Sequence, residues 1–400
     1  MLQTSSKNSH SMSKRADNRI QRVRERAIWE ILLCILIFGA WANTATAVDR
    51  PEEAIGKLRQ RCLSLLYRAM ESENAFIRGA AARAAGESED PALIPLLKKA
   101  ATDVYHTTRL FSLQALEKIS REETVVTAKT LVEDSNIWVQ STALEMLGNL
   151  GGKETTGLIR PHLDATDRRV RLAAAAALYK LGERERLSVL LETLKDPHSV
   201  ERYQAIGYVG KMESAETLPF LTDLLKDKED EVIFYSLKAI GKRVPPGLFQ
   251  QLEELTVSPN PSVRYQAVLT MGYLPADISH SRMVELCRDP DPMVRISAAV
   301  ALYRQGAQAC RENFAEGIDH ADYGVRSATA RVLGEIDLQE RPQLLAKALR
   351  DENTRVRTAA VRAVGMMGGA EAFPLLVDAL DDPQEAVRAY AAGNLVKLMR

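Results

Sequence analysis

The chain has 400 residues and carries 53 Lys plus Arg against 53 Asp plus Glu, so its formal charge is zero. Proteins that grip DNA or RNA through the phosphates normally carry a basic excess that displaces counterions, and none is present overall. With 46% apolar and 26% charged residues, the composition is that of a folded protein, not a disordered one.

Residues 1–26 are polar and basic, with Lys7, Lys14, Arg15, Arg19, Arg22, Arg24 and Arg26. An apolar run from Ile31 to Ala42 follows, and then the small-x-small triplet Ala45-Thr46-Ala47. Together these are the three parts of a secretory signal peptide, which predicts cleavage after Ala47. The alternative is an uncleaved membrane anchor over residues 27–47, although the apolar run is short of the ~20 residues a spanning helix needs. In both cases the basic flank stays inside and the remainder is exported, to a periplasmic or other extracytoplasmic location. Met12 is a second plausible start.

Residues 48–59 begin an N-terminal capping helix, read as Glu52 to Met70. From residue 60 onward the sequence repeats. Stepping by 31 from Arg78 gives Arg109, Gln140, Arg171, Arg202, Ile233, Arg264, Arg295, Arg326, Arg357 and Arg388, with no insertion or deletion. Residues 60–400 therefore hold eleven units of 31. Three residues after this column every residue is small (Ala81, Ser112, Ala143 through Ala391), as close helix approach requires. Seven after it, and twelve before it, every residue is apolar.

Within a unit the apolar spacing is i, i+3, i+4, i+7, as in Leu187, Leu190, Leu191 and Leu194, or Val294, Ala298, Ala299 and Leu302. Asp, Pro and Asn separate the two stripes, as in Arg288-Asp289-Pro290-Asp291-Pro292. Each unit thus reads helix A, turn, helix B, and Gly recurs after helix B. The predicted fold is all-α, an α-solenoid or superhelix of eleven hairpins whose stacking buries a continuous core. Val244-Pro245-Pro246-Gly247 predicts a stiff turn or local bend. The sequence stops directly after the last B helix, which predicts that Leu395 and Leu398 lack a covering repeat and offer an end for self-association.

Asp precedes the Arg column by six residues in seven units: Asp103, Asp134, Asp196, Asp227, Asp289, Asp351 and Asp382. With V-R-x-x-A-A-x-A-L strings such as Arg295-Ile-Ser-Ala-Ala-Val-Ala-Leu302, this resembles the HEAT repeat. The short unit is similar to the phycocyanobilin-lyase-type subclass common in bacteria. The resemblance implies an inter-repeat hydrogen-bond ladder built from Asp103, Arg109, Asp196, Arg202, Asp289, Arg295, Asp351, Arg357, Asp382 and Arg388. Gln140 and Ile233 lack the charge, and Ser72, Ala165, Ser258 and His320 replace the Asp, so the ladder is expected to be weakest near units 4 and 6–7. One fold of this kind carries many functions.

Catalytic constellations are not apparent. The repeat histidines His106, His162, His198, His280 and His320 occupy different columns, and none precedes Glu. No HExxH, phosphate-binding Gly loop or GxSxG occurs. Cys34 leaves with the signal peptide. Cys62, Cys287 and Cys310 read as buried free thiols, because helical register puts Cys287 and Cys310 about 12 Å apart. No CxxC suggests zinc. The expectation is a non-enzyme with no catalytic residue, metal or cofactor.

The B face opposite the core stripe lies two, five and nine residues after the Arg column, and by resemblance B helices line the concave surface. Lys180, Lys211, Lys242 and Arg304 stand at +9, and Lys238, Arg331 and Arg362 at +5. Tyr203, Phe234, Tyr235 and Tyr265 cluster at +1 and +2 of the same middle units. Candidate partner-binding residues are therefore Lys180, Lys211, Lys242, Arg304, Lys238, Tyr235, Tyr203 and Tyr265. The function that follows is a scaffold binding a protein or peptide on the concave face. A bilin-lyase-like or other accessory modification factor is one alternative, and a binder of anionic polymer or nucleic acid is another.

Overall fold

A computed structural model describes residues 51–400, Glu213 excepted. The expected signal peptide or anchor over residues 1–47, with Cys34, lies outside the described residues. Among those described, no helix is long and apolar enough to cross a membrane.

The described residues are helical throughout, with eleven B helices from Ala75–Ser88 to Glu385–Leu398. Repeat 8 shows why. Asp289 Oδ1 accepts the Asp291 N–H at 2.8 Å and closes the turn. Asp291 then caps the B helix by accepting from Met293 N–H at 2.8 Å, and Pro292 at the first helical position fixes φ. Val294, Ala298, Ala299 and Leu302 are fully buried. Each such leucine contributes about 2 kcal/mol by leaving water. The helix Pro292–Arg304 ends where Gly306 adopts φ +80°. A helices are shorter and break into 3-10 turns, as at Pro91–Leu93 and Ala215–Thr217.

The Arg column performs two tasks. Each of its nine arginines donates Nη1 to the backbone carbonyls six and five residues earlier, stapling its own A–B turn; Arg171 to Ala165 and Thr166 is one case. Six also reach the Asp 25 residues on, in the next repeat. Nε to Oδ2 measures 2.6 Å for Arg78–Asp103, 2.7 Å for Arg109–Asp134, 3.0 Å for Arg264–Asp289, and 2.7 Å for both Arg326–Asp351 and Arg357–Asp382. Arg202 reaches Asp227 through Nη2 at 2.7 Å.

Three expected ladder members behave differently. Arg295 has only its staple to Asp289 and Pro290, because His320 stands where the next Asp would be. Arg388 likewise bonds only the carbonyls of Asp382 and Pro383. Asp196 is held by Arg168 at 2.6 Å and not by Arg171. Where Ile233 leaves a gap, Asn260 donates to Asp230 at 2.8 Å instead.

The solenoid closes on itself, which corrects the expectation of an uncovered C-terminal end. The last B helix, Glu385–Leu398, packs against the first, Ala75–Ser88, and against the first A helix, Pro51–Met70. Leu395 is 0% exposed and Leu398 packs on the same core. That first helix is long, as expected, but it forms part of a seam and does not cap an end. Across the seam Arg362 Nη2 meets Glu87 Oε1 at 2.6 Å, Lys397 meets Glu89 at 2.6 Å, and Arg61 meets Asp381 at 2.5 Å. Arg400 bonds the Glu89 carbonyl.

Neighbouring B helices touch closely through glycine. A Cβ at Gly86, Gly148 or Gly210 would lie 2.7 Å from the Cβ of Ala115, Ala177 or Ala239, each 29 residues on. At the seam Gly393 meets the Ala84 carbonyl, where a Cβ would come to 2.3 Å. Carried around the 341-residue array, Ala84 follows Gly393 by 32. The last contact is thus displaced three residues along the helix, roughly one turn.

Two further expectations are resolved. Cys287 and Cys310 form a disulfide, with Cα atoms 6.1 Å apart, so they are not free thiols. The 12 Å reckoning assumed a continuous A helix through Cys310. Instead that helix begins only at Glu312, and Cys310 sits in a turn at φ +62°. Cys62 is free and buried, and burial pushes its thiol up to about 12. Val244-Pro245-Pro246-Gly247 forms the stiff turn expected, joining two 3-10 turns, Gly241–Arg243 and Pro246–Leu248.

Candidate functional site: the inner face of the ring

Contacts between successive B helices are extensive and those between successive A helices sparse, so the B helices form the inner wall. Eleven helices about 9 Å apart place their axes on a circle roughly 30 Å across, and a helix diameter of ~10 Å leaves an opening of about 20 Å before side chains.

The B positions at +5 and +9 face this opening. Residues Arg83, Lys118, Lys180, Lys211, Lys238, Lys242, Arg304, Arg331 and Lys397 are all exposed. With half-buried Arg362 the two columns hold ten cations, against the three carboxylates Glu87, Glu145 and Glu335. A formally neutral chain therefore sorts positive charge to its inner surface. Low-dielectric walls around a concave surface strengthen such a field.

Part of this charge is arched. Lys211 Nζ reaches Glu145 Oε2 at 2.6 Å across the whole of repeat 4, which offers only Ala176 at the intervening +5 place. Lys180 donates to Asn149 at 2.6 Å. Arg304 lies 3.5 Å from Glu335 and 4.9 Å from the Tyr273 ring centroid. Lys242 joins Tyr273, Arg304 and Glu335 around a cleft of about 650 Å³.

The aromatic candidates do gather. Tyr203 and Tyr235 have ring centroids 5.2 Å apart, and Phe234 meets Tyr235 edge-on at 5.3 Å. Tyr265 lines a smaller cleft of about 280 Å³ with Phe234 and Met293. Of the four, Tyr235 is the exposed ring. Lys238 is exposed one turn beyond Tyr235.

A third cleft, of about 620 Å³, was not anticipated from the sequence. It runs between the B helices of repeats 9 and 10 and is completed by Phe76 of repeat 1. Phe76 is 72% exposed, Met366 58% and Tyr323 42%. The available signal was an apolar residue, Phe76, two places before the Arg column, on the face that points inward. Membership of one cleft by repeats 1, 9 and 10 could not be read without the closure.

Among the described residues no three His, Cys, Asp or Glu side chains are grouped so as to hold a metal. Four carboxylates, Asp103, Asp134, Asp196 and Asp351, lie below the usual carboxylate range. Asp196 is lowered to about 2 by Arg168 and by the His198 backbone N–H. Asp103 is lowered by its hydrogen bond from Arg78.

Stacked helical hairpins, a ladder of Arg and Asp, and an inner wall of B helices define an α-solenoid. The chain belongs to the HEAT repeat family, whose model matches residues 124–206, 162–241, 245–312 and 311–396. No curated protein matches the chain. Among solved structures it is similar to human deoxyhypusine hydroxylase in complex with glycerol, at 22% identity over 63% of this chain and 98% of that one, with a TM-score of 0.30. It is also similar to Kap121p, at 14% identity over 83% of this chain and 45% of that one, with a TM-score of 0.38. An engineered protein matches at 16% identity over 85% and 98%, TM-score 0.30.

Proposed function

We propose that this protein is a non-catalytic binding scaffold, exported from the cytoplasm, that takes an acidic protein or peptide segment into its ring. The observation carrying this reading is the excess of cations over carboxylates on the inner wall of a chain with no net charge. Complementary charge raises encounter rates and selects partners by sign. Export is supported by the basic flank, apolar run and Ala45-Thr46-Ala47 triplet. The Cys287–Cys310 disulfide also supports it, since such bonds persist in oxidising compartments.

Fluorescent poly-L-glutamate, titrated by polarisation, tests the reading. Binding is expected to weaken with salt and to weaken strongly in the triple variant Lys180→Glu, Lys211→Glu, Lys242→Glu, with the helical circular dichroism unchanged. Equal binding by wild type and triple variant, or no binding by either, overturns it. Tighter retention on heparin than on poly-L-glutamate would favour an anionic polysaccharide.

A further inference from the structure

The cleft between repeats 9 and 10 differs from the rest of the inner wall in its lining and in its dependence on ring closure. It sets Phe76, Tyr323 and Met366 beside three guanidinium groups, Arg331, Arg355 and Arg362, and one carboxylate, Glu335. At the end where the B helices start stand Phe76 and Tyr323, and at the other end stand Met366 and Glu335, each nine residues after the Arg of its repeat; Glu335 faces Arg304 at 3.5 Å. Arg331 and Arg362 occupy the middle, both at +5. Arg362 is committed to Glu87 at the seam, whereas the exposed Arg331 guanidinium makes no hydrogen bond or ion pair among the described residues. Arg355 lies over the Tyr323 ring at 5.8 Å and leaves its charge at the rim.

The cleft is also a product of ring closure. Phe76 belongs to the first repeat and reaches the groove of repeats 9 and 10 only because the last B helix packs on the first. An open solenoid would separate Phe76 from Met366.

We propose that this groove seats an extended peptide segment that carries a carboxylate between two apolar side chains. The B helix Thr354–Met367 has 14 residues, so the groove is about 20 Å long and matches about six residues of extended chain at ~3.3 Å each. Phe76 and Met366 stand at opposite ends of the groove, on either side of Arg331. An extended segment lying along the groove thus brings one apolar side chain to each side of the carboxylate. Arg331 is the recognition residue for the carboxylate, since a planar guanidinium presents a fork that matches it. Phe76 and Met366 hold the flanking apolar side chains; the soft thioether adapts to several shapes. The proposal rests on the peptide-binding reading above and adds where the peptide lies and what it looks like.

A fluorescent hexapeptide library with one Glu flanked on both sides by apolar residues at varied spacing, with a matched library carrying Gln for Glu, tests the groove on the full chain. The Glu library is expected to bind at least tenfold tighter than the Gln library. Arg331→Ala should abolish that preference, Phe76→Ser should weaken both libraries, and both variants should keep the wild-type melting temperature. The Lys180, Lys211, Lys242 reversal separates this groove from the rest of the inner wall. If Arg331→Ala and Phe76→Ser bind as wild type does while that triple reversal loses binding, the groove proposal fails and the ring-lumen reading stands. If no hexapeptide binds and poly-L-glutamate does not either, both fail. Binding of heparin in place of either library, insensitive to Arg331→Ala, also overturns the groove.

Discussion

Arg362 and Glu87 pair at 2.6 Å although they lie 275 residues apart in the chain. Counted around the other side of the 341-residue array, the separation is 66 residues, which is the separation of Glu145 and Lys211. In both pairs a +5 side chain meets a +9 side chain two repeats on, over a small residue, Ala176 or Gly393, in the repeat between. The seam thus repeats an internal contact with the charges exchanged. The first repeat occupies the place that a twelfth would take.

The ladder makes a direct stability prediction. Asp351 and Arg326 are about nine-tenths buried and joined by two hydrogen bonds, Nε to Oδ2 at 2.7 Å and Nη2 to Oδ1 at 3.0 Å. Asp351→Asn keeps an acceptor for the Asn353 N–H but removes the charge from this partly buried fork. A loss of about 1–3 kcal/mol is expected in urea unfolding. Asp322→Asn, at an N-cap where Asn serves equally well, should change stability by less than about 0.5 kcal/mol.

The same carboxylates set the response to acid. The folded values of Asp103, Asp134, Asp196 and Asp351 are depressed, for Asp103 and Asp196 chiefly by hydrogen bonds from arginine, the latter to about 2. A depressed carboxylate contributes stability that is present above its unfolded value of about 4 and is lost as pH falls through the folded value. The melting temperature should therefore hold from about pH 8 to 5 and fall steadily from about pH 4 toward 2. Asp196→Asn should flatten the lower part of that fall, as read by a melting series across pH.

Glycines in the B helices should divide by what surrounds them. A Cβ at Gly148 would lie 2.5 Å from the Ala177 Cα, whereas nothing stands within 4 Å of one at Gly207. Gly148→Ala is expected to destabilise by about 1–3 kcal/mol through overpacking. Gly207→Ala should stabilise by roughly 0.5–1 kcal/mol, since alanine loses less backbone freedom in a helix. Denaturant midpoints of the two variants give the comparison.

The Cys287–Cys310 bond closes a short loop, with a sequence separation of 23. The chain-entropy estimate for such a loop is about 3 kcal/mol. Reduction, or Cys287→Ala with Cys310→Ala, should lower stability by up to that amount while the helical spectrum persists. Intact mass of the purified protein should show the oxidised form.

The hairpins, the Arg column and the ladder partners were legible because each is a local rule repeated at fixed spacing. Lys180, Lys211 and Lys242 recur at one sequence offset, but Lys242 falls in the 3-10 turn beyond its B helix. Closure was not legible. It depends on the sum of small rotations between successive repeats, and no single column records an angle. The disulfide was missed for a local reason: Cys310 stands in a turn where helical register does not apply. The Phe76 groove was missed because it needs the closure first.

Zero-length carbodiimide coupling tests the closed ring most directly, because Lys397 Nζ and Glu89 Oε1 lie 2.6 Å apart across the seam. An isopeptide joining Lys397 to Glu89 is predicted in the monomeric fraction, independent of protein concentration. Its absence there, or its appearance only in dimers and larger species, would contradict the ring.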